Sequence, residues 1–127
     1  MGRGVARNAL AVATWVFAAA ALVQVFLAGL GVFRSPADFE VHRSFGYLLE
    51  LAILLLGALA AALRVGRRIV SLAILIFALF LLQSILVSFR ASTPAIAALH
   101  PVNGFLIVFA AILLARETWR LGGVTEQ

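Results

Sequence analysis

Long apolar stretches separated by short polar segments dominate the pattern of this chain. Residues 9–33 and residues 69–89 are apolar at almost every position. Each stretch meets or exceeds the roughly 20 residues that a helix needs to cross a bilayer. Two further stretches, from about residue 36 to 63 and from about 94 to 115, are long enough if their few polar residues are tolerated. The pattern therefore predicts four membrane-spanning helices.

The composition agrees with this interpretation and narrows the chemistry. Of the 127 residues, 65% are hydrophobic and 12% are charged, whereas a soluble domain is roughly half apolar. The absence of cysteine excludes disulfides, thiolate metal sites and thiol nucleophiles. The first apolar stretch follows a basic N-terminus, but its length exceeds the roughly 7 to 15 residues of a signal-peptide core. We expect it to be a span and not a cleaved signal.

The distribution of arginine predicts the orientation of the spans. The formal net charge is +5, and no lysine contributes to it. Arginines stay predominantly on the cytoplasmic side of a membrane, so we expect both termini to be cytoplasmic. Charges confined to the ends of spans also favour a lipid bilayer, and not nucleic acid, as the partner. Seven arginines fall at the end with the termini and three at the other end: Arg3, Arg7, Arg64, Arg67, Arg68, Arg116 and Arg120 against Arg34, Arg43 and Arg90.

Two segments of the chain resemble each other and predict an internal repeat. SPADFEVHRSFGYL, residues 35–48, aligns with TPAIAALHPVNGFL, residues 93–106, and the alignment superposes the only two histidines. The chain then divides into two helical hairpins, about 8–64 and 67–120, within a single membrane domain, 1–127. Two-span copies run in the same direction. We expect an all-α, integral membrane, four-helix up-and-down bundle built from two parallel-repeat hairpins.

Each repeated segment has the features of a helix start. Ser35 or Thr93 would be the N-cap, and the following proline would occupy the first helical position. Asp38 supports the first start because its charge lies beside the positive end of the helix dipole. Pro101 interrupts the second copy. It predicts either a kink or a helix that restarts there.

The histidines are candidate ligands because ionisable residues inside spans usually serve a function. His42 and His100 each lie six residues after a proline, so both should be about 9 Å below the helix tip. Gly46 and Gly104 follow one turn later on the same face, where they allow either a flat ligand or a neighbouring helix to approach. The alternative role for each histidine is a hydrogen bond between helices.

The predicted bundle suggests what the two histidines could hold. With short connections, spans 2 and 4 are diagonal partners about 13 Å apart. Two histidines facing each other there suit haem, since the porphyrin supplies four donors and the protein supplies only axial ligands. A bare zinc or copper ion would need further ligands at that level. We therefore predict one haem b per chain, with His42 and His100 as ligands to the iron.

Other residues are candidates for the surroundings of that site. Arg43, together with Arg34 and Arg90, could neutralise haem propionates, although each could also be an ordinary interfacial arginine. Five aromatic residues could form walls or could instead face the core or lipid: Phe17, Phe45, Tyr47, Phe80 and Phe105.

Glu50 is the remaining unusual residue, because it lies near mid-membrane. Gln24 lies at a comparable depth and is its expected partner, while Gln83 occupies the related position in the second hairpin. These residues predict either a buried hydrogen bond, which we favour, or part of a proton path. The second copy has Val108 in place of Glu50.

Several motifs resemble known families. FLAGLGVF, FEVHRSFGYL and LHPVNGF resemble a bacterial family of small four-span membrane proteins of unknown function. Glu40-Val41-His42-Arg43 is similar to the Glu-x-x-His-Arg motif of haem A synthase, although Glu40 is one residue closer to the histidine here. The resemblances imply a bacterial plasma (inner) membrane protein with a bundle like one haem-binding half of that enzyme. They do not imply synthase activity.

These observations lead to three hypotheses. The first is a small membrane b-type cytochrome that carries electrons or handles haem, working with a redox partner, a quinone or a larger membrane complex. The second is an accessory or assembly subunit whose histidines only join helices. The third is a proton-linked carrier that uses Glu50. No hydrolase or transferase residues are recognisable, so we expect at most a redox subunit, and homo-oligomerisation is left open.

Overall fold

The described part of the chain forms four long helices, as the sequence predicts. The computed structural model describes residues 2–122. Each of the four apolar segments is long enough to cross a membrane. The second and fourth spans each begin with a short separate turn. In order, the elements are α1 (Arg3–Phe33), a 3₁₀ turn (Pro36–Asp38), α2 (Phe39–Ala62), α3 (Arg67–Ser88), α4 (Pro94–Ala97) and α5 (Leu99–Gly122).

The long helices pack in a closed ring. The main contacts join α1 to α2, α2 to α3, α3 to α5, and α5 back to α1. Helices α2 and α5 are therefore diagonal partners, which confirms the predicted arrangement of spans 2 and 4. We call the end that carries the start of α1 and the end of α5 the terminal end. The opposite end, where α2 and α4 begin, is the histidine end.

The core is concentrated in the half of the bundle nearest the terminal end. The largest fully buried side chains all lie in that half, on all four helices: Leu10, Thr14, Ile53, Ile76, Leu114 and Thr118. The outer surface is instead apolar at many positions, including Phe26, Ile74 and Phe109, each more than 60% exposed. An apolar exterior on helices that satisfy their own backbone is what a lipid environment requires.

A pair of buried threonines joins the first and last long helices. The hydroxyls of Thr14 on α1 and Thr118 on α5 lie 2.6 Å apart. Each hydroxyl also reaches a backbone carbonyl of its own helix, that of Ala11 for Thr14 and those of Leu114 and Ala115 for Thr118. Polar pairs of this kind stabilise helix contacts in membranes.

The helix starts at the histidine end agree with the prediction in outline. Ser35 caps the 3₁₀ turn by accepting a hydrogen bond from the Ala37 N–H at 3.3 Å, whereas the Thr93 side chain makes no capping bond. The fourth span restarts at Leu99, so Pro101 falls within the first turn of α5, where a missing N–H costs little. The second span restarts in the same way at Phe39 without such a proline, so Pro101 alone does not explain the break.

Candidate histidine site

His42 is held against α1 by two reciprocal hydrogen bonds. Its Nδ1–H donates to the backbone oxygen of Gln24 at 3.1 Å, because a carbonyl can only accept. The Gln24 side-chain Nε2 donates in return to the backbone oxygen of His42 at 2.8 Å. Both the ring and the backbone of His42 are thus positioned by one residue of the neighbouring helix.

His100 meets α3 in a related way. Its Nδ1–H donates to the backbone oxygen of Gln83 at 3.2 Å. The Gln83 Nε2 amide, however, lies 3.4 Å from the other ring nitrogen, Nε2 of His100. Asn103 orients this amide, since its Nδ2 donates both to the Gln83 Oε1 and to the Leu79 backbone oxygen, the latter at 2.8 Å.

These contacts determine which ring nitrogen is free to bind a metal. When Nδ1 carries the proton and donates to a carbonyl, Nε2 keeps its lone pair. Metal-bound histidines commonly have this arrangement, with the second nitrogen donating to a backbone or carboxylate oxygen. Among the hydrogen bonds of residues 2–122, His42 Nε2 has no partner and His100 Nε2 has only the long contact to Gln83. Both histidines therefore offer Nε2 to a ligand.

The two rings meet edge to face across the diagonal. Their centroids are 6.2 Å apart, with an angle of 67° between the ring planes. Metal–imidazole bonds are about 2.0 to 2.1 Å long, and a ring nitrogen lies about 1.1 Å from its centroid. Two imidazoles that bind one metal from opposite sides thus have centroids about 6.2 to 6.4 Å apart. The observed separation suits a shared metal, although edge-to-face contact between aromatic rings covers the same range.

The histidines line a large cavity in the histidine half of the bundle. Its volume is about 1000 Å³, and all four long helices contribute to its walls. Protein interiors are normally close-packed, and a cavity of this size is at the upper end for sites that bind small molecules and cofactors. Phe80 lines its deep side, with Phe17 packed behind it at a ring separation of 6.4 Å. Of the other predicted wall residues, Tyr47 and Phe105 also line it.

The two glycines line the cavity and also leave room for the glutamines. A Cβ atom at Gly46 would lie 2.8 Å from the Gln24 Nε2, and one at Gly104 would lie 3.4 Å from the Gln83 Nε2. The sequence interpretation left open whether a flat ligand or a neighbouring helix fills this space. The atoms in contact with it are the glutamine amides of the neighbouring helix.

Some of the charged residues near the cavity mouth form ion pairs with each other, and others do not. Arg34 forms a two-pronged ion pair with Asp38, at 2.7 and 2.6 Å. Arg43 lines the cavity and pairs with Glu40, and both of these side chains are well exposed. Arg90 also lines the cavity. It forms no ion pair within the part of the chain that the structure describes.

Glu50 lies deeper in the same cavity, and its predicted partner is occupied elsewhere. Its half-buried side chain lines the wall together with Val108. The expected pairing with Gln24 is not found, because the Gln24 amide binds His42 instead. Between residues 2 and 122, no side chain hydrogen-bonds to the Glu50 carboxyl. The regular spacing of Gln24 and Gln83 ahead of the two histidines was the signal that could have revealed their true partners.

Comparison with known proteins places the chain in a family. Residues 24–91, more than half of the chain, match DUF6220, a family of unknown function. The protein belongs to the DUF6220 family. No curated protein and no solved structure matches the chain. The matched segment includes Gln24, His42, Gln83 and Arg90 but ends before His100.

The donor set of this DUF6220 protein limits the kind of metal that it could hold. Residues 2–122 contain no group of three or more His, Cys, Asp or Glu side chains suited to an ion. A bare zinc or copper site needs three or four such ligands. Two imidazoles could complete the coordination of a metal whose remaining positions are filled by a macrocycle.

Proposed function

We propose that this DUF6220 protein is a small integral membrane b-type haem protein, with one haem b per chain bound by His42 and His100. The observation that carries the proposal is the pair of neighbouring imidazoles, with ring centroids 6.2 Å apart, each donating Nδ1–H to a backbone carbonyl. All four long helices contribute to the walls of the cavity around them. When bound, haem would supply one-electron exchange at the iron.

The surrounding residues would perform three tasks in such a site. The Gln24 and Gln83 carbonyls orient the imidazoles and increase the basicity of Nε2. Arg43 and Arg90, at the mouth, would receive the propionates by charge-assisted hydrogen bonds. The largely apolar walls favour a cofactor that is largely hydrophobic.

The proposal includes an orientation and a route for electrons. The seven arginines at the terminal end favour cytoplasmic termini and a histidine end that faces outward across a bacterial plasma membrane. A single haem near one surface does not connect the two sides of a bilayer. Electron transfer would therefore require a membrane quinone, a redox subunit of a larger complex or a second copy. The similar Gln–His contacts in both hairpins support their origin as a parallel repeat.

Absorption spectra test the proposal directly. The protein would be purified from haem-replete membranes, and oxidised and reduced spectra recorded for the wild type, His42→Ala and His100→Ala. We expect a reducible Soret band and a sharp alpha band in the wild type, altered by either substitution. Thr118→Val is the matched control, since it removes a buried hydrogen bond far from the cavity.

Two further outcomes sharpen the test. Addition of imidazole should restore the low-spin spectrum of His100→Gly, because free imidazole can occupy the space of the lost ring. A colourless wild type under haem-replete expression would contradict the proposal. It would favour the alternative, in which the protein is an accessory or assembly subunit whose histidines only join helices.

A further inference from the structure

The two histidines are not held equally. His42 is fixed at two points, because Gln24 accepts from its ring and donates to its backbone. The Gln24 amide has little freedom, since it lies against Gly46. His42 is also the fourth residue of its helix, which begins at Phe39. Movement of the His42 ring would break a compact set of contacts.

His100 is anchored only through its ring. The Gln83 amide makes no contact with the His100 backbone and points to Nε2 instead. His100 is also the second residue of α5, directly after the break that separates α4 from α5. Residues 91–96, which precede the break, are all exposed. His100 thus lies at a helix end where the fold offers less restraint.

A fixed hydrogen-bond donor lies beside the nitrogen that His100 would use as a ligand. The Gln83 Nε2 amide is 3.4 Å from His100 Nε2. Asn103, only 4% exposed, binds the Gln83 Oε1 and the Leu79 backbone, so the donor is held from behind. On the other side of the cavity, the corresponding amide is already used by the His42 backbone. Of the two glutamine amides, that of Gln83 is therefore the one available to an incoming molecule.

We infer that His42 is the permanent ligand and His100 the exchangeable one, so that a small uncharged molecule such as a diatomic gas binds in place of His100 and accepts a hydrogen bond from Gln83. This inference rests on the proposed haem site. The donor favours molecules with an acceptor atom at the outer end, and the apolar walls favour uncharged ones. Gln83 acts here as a specificity-determining residue.

Carbon monoxide is the probe for this inference. It would be titrated into the dithionite-reduced wild type, His100→Ala and His42→Ala while the spectrum is recorded. We expect the wild type to bind it and His100→Ala to reach saturation at a concentration at least tenfold lower, because no competing imidazole remains. His42→Ala should lose most of its haem on washing, whereas His100→Ala should retain it.

The infrared C–O stretch reports on the donor without depending on either histidine substitution. We expect the C–O stretch of the Gln83→Leu complex to lie at higher frequency than that of the wild-type complex, since a hydrogen bond to the bound molecule is lost. Thr118→Val is the control, because Thr118 does not line the cavity, and it should leave the stretch unchanged.

The possible failures are distinguishable. Three results would overturn this inference alone if the protein still shows a reducible haem spectrum. They are no binding of carbon monoxide, an equal gain in carbon monoxide affinity in His42→Ala and His100→Ala, and a C–O stretch that Gln83→Leu leaves unchanged. A protein without any haem spectrum would overturn the inference together with the proposed function.

Discussion

At the scale of single residues, each histidine depends on a glutamine in the preceding long helix. Gln24 and Gln83 present their backbone carbonyls to Nδ1, and this contact selects the tautomer that leaves Nε2 free. Their side chains differ, since one binds a backbone and the other a ring nitrogen. The two histidines, which have similar sequence patterns, thus have different hydrogen-bond surroundings because the two glutamine amides point in different directions.

Alanine substitutions at Gly46 and Gly104 should have different effects on stability, because the two glutamine amides are packed differently. Gly46→Ala would place a methyl group 2.8 Å from the Gln24 amide, displacing it from the His42 carbonyl at a cost of about 1–3 kcal/mol. Gly104→Ala meets Gln83 at 3.4 Å, an ordinary contact, and should be neutral or stabilising by up to about 1 kcal/mol. Thermal unfolding in detergent would compare them. Equal effects would contradict the packing described for Gln24.

The Glu50 carboxyl should be dispensable for ligand binding. It contacts neither histidine nor glutamine through any hydrogen bond in residues 2–122. We therefore expect Glu50→Gln, which preserves the shape of the side chain, to leave the haem spectrum and the midpoint potential unchanged between pH 6 and 8. A wild-type potential that varies with pH by up to about 59 mV per unit, and that becomes constant in Glu50→Gln, would instead support a proton path.

At the scale of helices, the two halves of the bundle differ: the terminal half is closely packed, and the histidine half contains the cavity. In the terminal half, small side chains allow α1 and α5 to meet, and the threonine pair joins them. Helices α2 and α3 also approach closely, since a Cβ at Gly57 would lie 3.1 Å from the Ala73 Cβ. In the histidine half the same helices diverge around the cavity. The closely packed half serves as the support that positions the site.

The threonine pair should contribute to stability but not to the site. Thr118→Val should lower the free energy of unfolding by roughly 1 kcal/mol, because buried polar contacts between membrane helices are of this size. The double variant Thr14→Val with Thr118→Val should cost less than the sum of the single variants, since both remove one shared contact. Chemical unfolding in detergent measures the free energy of unfolding of the two single variants and of the double variant. Strict additivity would show that the hydroxyls do not interact.

At the scale of the whole molecule, the site lies at one end of an asymmetric bundle. The histidine end carries the cavity mouth with Arg43 and Arg90, while the terminal end carries most of the positive charge. Charge asymmetry of this kind orients membrane proteins. It would place the cavity mouth on the side away from the cytoplasm.

Cysteine labelling tests this orientation cleanly because the chain has no native cysteine. Ser92→Cys, in an exposed loop at the histidine end, should react in intact cells with a thiol reagent that does not cross membranes. Arg67→Cys, exposed at the terminal end, should react only after the cells are opened. The reverse pattern would invert the proposed orientation and place the site near the cytoplasm.

The chain itself was enough to predict the spans and the alignment of the histidines. Apolar length determines which segments cross a bilayer, and short connections make successive spans neighbours, so α2 and α5 become diagonal partners. His42 and His100 have the same spacing from a proline. Both therefore lie near the start of a span at the same end of the bundle, where their rings meet edge to face.

Only the tertiary structure decided what each polar side chain contacts. The pairing of Gln24 with His42 instead of Glu50, the inward turn of the Gln83 amide and the Thr14–Thr118 contact all depend on the rotation of one helix against another. Such rotations follow from the shapes of many packed side chains together. Hydrophobic pattern specifies where helices lie in the membrane, whereas the few polar contacts between them, which define the chemistry here, arise from that collective packing.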